Sequence, residues 1–125
     1  MYLKPILTII LTLSLFANIL SAENTHLASL VSKQQILTKK ITQAYKKKAK
    51  KSHILSKVKD LEEGQKRLKK MAIHNSEINN LFVFLNICLN DIKILIQKPY
   101  SNENAQQVAD LGDSISEGSR YIAKS

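Results

Sequence analysis

The sequence predicts an all-α protein, an antiparallel up-down-up-down four-helix bundle preceded by a signal peptide. Apolar residues return at alternating spacings of three and four, the beat of one helix face, and no stretch alternates as a half-buried strand does. Three glycines and two prolines are all that interrupt 125 residues. The apolar beat divides into four segments of about twenty residues, each roughly 30 Å long as a helix. Short connections between such segments force neighbours antiparallel. A second arrangement, two long hairpins that complete one core as a dimer, uses the same helices.

The first segment is read as an export signal. Lys4 provides a short positive region, and Ile6 to Phe16 is an apolar run broken only by small hydroxyl residues. "ANILSA" then leads into the polar "ENTH", so cleavage is expected after Ala22, giving residues 1–22 as signal peptide and 23–125 as one small domain. The expected location is the periplasm. The alternative is an uncleaved segment that anchors the chain to the inner membrane.

The first helix carries Leu27, Leu30, Gln34, Leu37, Ile41, Ala44 and Lys48 on its seam, with Val31, Thr38 and Tyr45 on the shoulder. The phase breaks at "KKSH", where a turn is expected. The second helix, from about His53 to Ala72, repeats the seam through Ile54, Val58, Leu61, Gln65 and Leu68. Gly64 inside it costs about 1 kcal/mol relative to Ala and points to a close helix approach. Asn75 or Ser76 is the expected N-cap of the third helix, Glu77 to Gln97, the most apolar of the four. Pro99 ends it, because proline cannot continue the hydrogen-bond ladder. Ser101 or Asn102 caps the fourth, whose beat is Ala105, Val108, Leu111, Ile115, Gly118 and Ile122.

Charge is divided unevenly. Glu23 to His74 holds fourteen Lys/Arg against four Asp/Glu, and Asn75 to Ser125 holds four against six. A basic half of this kind suits an acidic partner, an anionic membrane or nucleic acid. Export argues against nucleic acid, and no nucleic-acid partner is expected. His26, His53 and His74 do not share a helix face, so no metal site and no cofactor is expected. No nucleophile-base spacing points to catalysis, and the protein is read as not an enzyme. The single cysteine, Cys88, falls on the core face and is expected to be a buried thiol.

Two seam positions, Gln34 and Gln65, carry amides where Leu would be worth about 2 kcal/mol more. Buried amides need partners. They either pair across the bundle or line a polar pocket with their neighbours.

The stretch "SKQQILTKKITQAY" resembles "GRQRMLSQRIAKAY", the signature of the PilJ-type sensor domain found at the N-terminus of type IV pili methyl-accepting chemotaxis transducers. That family is related to the periplasmic region of nitrate/nitrite sensor kinases. The later "NENAQQVADLGDSISEGSRYIA" is similar to its closing helix. The resemblance implies a periplasmic four-helix bundle, often dimeric, that reports a small ligand. It implies a ligand site at Lys33, Gln34, Gln35, Thr38 and Lys39. Gln35 stands where the family has an arginine. A neutral amide donates hydrogen bonds but cannot neutralise an anion as guanidinium does. No apolar stretch long enough to cross a bilayer follows the fourth helix, so a free-standing module is expected.

Two function classes follow. One is an exported sensor-like module that binds a small anion or another small ligand, or a membrane receptor, with a homodimer formed through the first helix. The other is a structural or interaction protein whose Lys-rich face docks on an acidic protein or an anionic membrane surface.

Overall fold

The computed structural model describes residues 26–125, so the signal-peptide reading of 1–22 lies outside the described residues. The described chain is a four-helix bundle with no strand among the described residues. Helix α1 covers 26–46; α2 is Lys51–Met71, α3 is Ser76–Gln97 and α4 is Asn102–Lys124.

Each boundary has a local cause. Asn75 is extended, and its Oδ1 accepts from the Ile78 N–H at 2.9 Å, while Ser101 Oγ accepts from the Asn104 N–H at 3.0 Å. Both satisfy a backbone donor that the first helical turn leaves free. Glu77 and Glu103 add negative charge to those first turns. At the end of α3, Lys98 is extended (φ −80°, ψ 154°), as a residue before proline must be.

The first turn differs from the one expected at "KKSH". It lies at 47–50, and Lys51, Ser52 and His53 already belong to α2. Lys48 adopts a left-handed backbone, φ 56°. The Ala49 N–H reaches the Ala44 carbonyl at 3.0 Å and the Lys48 N–H reaches Tyr45 at 3.0 Å. These two bonds form a Schellman close with lysine where glycine usually sits. The signal that would have marked this turn was therefore missing from the sequence.

The core runs the length of the bundle through Ile41, Ile54, Val58, Leu61, Leu68, Ile78, Leu85, Ile92, Ile115 and Ile122. On α1 the buried line is rotated from the expected seam. Val31, Gln34, Thr38, Ile41, Ala44 and Tyr45 are buried, Leu27, Leu30 and Leu37 are partly so, and Lys48 is exposed. On α4 the aliphatic beat is joined by Gly112, Ser116 and Ser119, all buried. These small residues let α1 come close. A Cβ on Gly112 would lie 3.2 Å from Thr38 Cβ, and one on Gly64 would overlap the side-chain amide of Gln34. The close approach expected at Gly64 is present.

One end of the bundle is fastened by aromatic contacts. The Tyr45 and Tyr100 rings lie 5.5 Å apart, and Lys48 Nζ stands 5.1 Å from the centre of the Tyr100 ring. At the other end, the Tyr121 hydroxyl donates to Glu77 Oε1 at 2.5 Å. That bond, together with the carboxylate's charge, holds the Tyr121 phenol above its ordinary pKa.

Candidate functional site

The five residues singled out on α1 fall within the seven positions 33–39, almost two helical turns. At about 100° per residue they cannot face one way. Gln34 and Thr38, one turn apart, enter the core. Gln35 and Lys39 turn toward α4, and Lys33 turns toward α2. The structure does not gather them in one pocket.

Inside the core, Gln65 Nε2 donates both its protons, to Gln34 Oε1 and to Ser119 Oγ, each at 2.9 Å. Of the two readings offered for these glutamines, pairing across the bundle is the one seen. The Thr38 hydroxyl donates to the Gln35 carbonyl at 2.8 Å. Ser116 must therefore supply the proton of the 3.1 Å bond between its hydroxyl and Thr38. This polar layer links α1, α2 and α4. Gln34 is 1% exposed and Ser119 fully buried, while Gln65 and Thr38 reach the lining of grooves on either side of the layer. Gln65 Oε1 is buried without a hydrogen-bond partner among the described residues.

The groove between α1 and α4 is different. Ala28, Val31, Ser32, Gln35, Arg120 and Lys124 are among its lining, with a volume of about 490 Å³. With its amide turned so that the oxygen faces the guanidinium, Gln35 accepts from Arg120 Nη2 at 2.8 Å and from Nε at 3.1 Å. Those two bonds leave three guanidinium protons free. Arg120 was not singled out from the sequence. Its cue was modest: a lone arginine beside the small residues Gly118 and Ser119 near the end of α4.

Two smaller grooves take the remaining lysines. Lys33 lies with His26, Arg67 and Lys70 around Leu30 and Met71 in a cleft of about 310 Å³ between α1 and α2. Lys39 lies with Thr42, Gln43 and Asp113 in one of about 190 Å³. Among the described residues, the acidic side chains of α4 form no ion pair with α1. Asp110 accepts instead from Gln106 Nε2 at 2.9 Å, and the ion pair among the described residues joins Lys93 to Glu62. Cys88 is buried and free, as expected. Burial, and after it the charge of Asp91, pushes the thiol up from its ordinary pKa of 9.0, so it is a poor nucleophile at neutral pH.

Compared with family models, with curated proteins and with solved structures, the chain shows no match to any of them. Its residues and their geometry are what the functional reading has to stand on.

Proposed function

We propose that the protein is a non-enzymatic, exported four-helix module of the sensor type that binds a small anion in the groove between α1 and α4. In this reading residues 1–22 are a signal peptide cleaved near Ala22. The helices run up-down-up-down, and the domain works in the periplasm as a relative of PilJ-type sensors, alone or against a membrane receptor.

The observation that carries the reading is Arg120 against Gln35. Where the family motif has an arginine on α1, this chain has a glutamine, and a guanidinium from α4 lies against it. An anion in the groove would meet two parallel guanidinium donors, the geometry that makes arginine selective for planar oxyanions. Ser32 and Lys124, which line the same groove, add a hydroxyl donor and a second cation. Lys33 and Lys39 stand outside this groove and act by raising the local potential.

The test is a thermal-shift titration with nitrate, nitrite, sulfate and acetate at fixed ionic strength. A ligand at a hundred times its Kd should add about 2.7 kcal/mol of stability. The gain should vanish in Arg120→Gln and persist in Lys33→Gln. If no anion raises Tm at constant ionic strength, the reading is wrong.

A second reading rests on the charge division, +10 across Glu23 to His74 against −2 across the remainder. The exposed lysines of α1 and α2, with the cleft of Lys33, Arg67 and Lys70 among them, would dock on an acidic protein or an anionic membrane. Binding of that kind weakens steeply with salt and is insensitive to Arg120→Gln.

A further inference from the structure

A groove of about 520 Å³ lies between α2 and α3, lined by no residue of α1 or α4. Its α2 wall is one helical stripe, Glu62, Gln65, Lys66 and Lys69. Its α3 side is hydrocarbon at the base, where Phe82, Leu85 and Leu89 are buried, and amide at the rim, where Asn86 is exposed. The size suits a small organic molecule, and so does the lining: mostly hydrocarbon, with a few placed polar groups, between helices of a bundle.

Gln65 sets the first requirement on that molecule. It is 7% exposed and comes to the surface in this groove. Both protons of its amide are committed to Gln34 and Ser119, neither of which lines the groove. Its Oε1 has no hydrogen-bond partner among the described residues. A buried carbonyl oxygen without a donor costs free energy. A donor brought into the groove by a solute is the partner this oxygen lacks.

The rim sets the second requirement. Lys66 and Lys69 form no ion pair among the described residues, and the carboxylate beside them, Glu62, is neutralised by Lys93. The charge left on the α2 wall is therefore positive. The molecule needs a donor for the amide oxygen, an anionic group for the lysines, and an apolar body between them. A ring holds two such groups apart with little rotamer entropy to lose on binding, and it packs well on a phenylalanine.

We propose that the groove between α2 and α3 binds a small aromatic acid carrying a phenolic hydroxyl. The ring lies on Phe82, Leu85 and Leu89. The hydroxyl, protonated below about pH 10, donates to Gln65 Oε1, and the carboxylate meets Lys66 and Lys69. This site is separate from the groove of Arg120. An inorganic anion has neither the donor nor the apolar body and is not served here.

Isothermal titration calorimetry of the full chain at constant ionic strength tests the proposal. The probes are para-hydroxybenzoate, para-hydroxyphenylacetate and para-hydroxyphenylpropionate, which differ in the reach from ring to carboxylate. At least one should bind, and its analogue without the hydroxyl should bind about tenfold more weakly. In Gln65→Leu the two should bind alike. Replacing Lys66 and Lys69 together by Gln should weaken binding about tenfold. Asn86→Trp, at an exposed rim position, should block binding with unchanged helical circular dichroism. Binding that survives Asn86→Trp overturns the proposal. So does binding that Arg120→Gln abolishes, because the acid would then sit between α1 and α4. Equal affinity with and without the hydroxyl overturns it as well, since water alone would then meet the Gln65 oxygen. Failure of all three probes to bind at millimolar concentration has the same consequence.

Discussion

Toward the loops at 47–50 and 98–101 the core is hydrocarbon, with Ile41, Ile54, Val58, Ile92, Leu95 and Val108 filling it. Toward the opposite end, amides and hydroxyls run through it: Gln34 to Gln65 to Ser119, and Thr38 to Ser116. In the hydrocarbon half, large side chains keep the helices apart and any aliphatic of similar volume would serve. In the polar half α1 rests on Gly64, Gly112 and Ser116, with Ser119 tied in through Gln65, and each contact depends on the absence of a methyl group or the presence of a proton. The polar half therefore fixes where α1 lies along its neighbours, and the groove holding Arg120 depends on that placement.

Breaking the polar half should cost most. Gly64→Ala puts a methyl group where the Gln34 amide lies, 2.8 Å from Cδ and closer still to Nε2. Gln34 must then swing away and lose Gln65. Overpacking together with a broken buried hydrogen bond should lower stability by about 3 kcal/mol, even after the helix gains about 1 kcal/mol from alanine. Urea unfolding would show a lower midpoint with an unchanged slope. Adding Gln34→Ala should restore most of the loss, a coupling that independent sites would not show.

Gln65→Leu should cost less, about 2 kcal/mol, by stranding Gln34 Oε1 and Ser119 Oγ without their donor. The double replacement of Gln34 and Gln65 by Leu should recover most of that, since both amides are then gone. If Gln65→Leu alone is stabilising in the same urea assay, the network contributes nothing and the polar half holds by shape alone.

The hydrocarbon half contains one misfit. Tyr45 is buried, yet its hydroxyl has no hydrogen-bond partner among the described residues. Tyr45→Phe keeps the ring against Tyr100 and removes the stranded group. It should therefore raise stability by about 1 kcal/mol, read as an increase in Tm. The same deletion of polar atoms would thus have opposite signs in the two halves.

The sequence disclosed the hydrocarbon half far better than the polar one. Ile54, Val58, Leu61, Ile92 and Val108 announce themselves by period, and Pro99 and Ser101 by their backbone chemistry. Ser116 and Ser119 carry no hydropathy signal, so the inner face of α4 was legible only at its aliphatics, and Leu111, expected on the seam, lies half-buried beside it. The spread of Lys33 to Lys39 around the helix follows from geometry alone. What reaches Gln35 from α4 does not, because the contact with Arg120 joins residues far apart in the chain.

The smallest effect is expected at Lys48, where the hydrocarbon half meets the turn. A left-handed lysine costs about 1 kcal/mol that glycine would not, so Lys48→Gly should stabilise the Schellman turn. The same change removes the ammonium from above the Tyr100 ring, worth about 0.5 kcal/mol at an exposed site. The net gain should be about 0.5 kcal/mol in the wild type. In a Tyr100→Leu background, where no cation–π contact remains to be lost, it should be about 1 kcal/mol. Equal gains in the two backgrounds would mean that the ammonium contributes nothing there and that the left-handed backbone alone sets the energy of the turn.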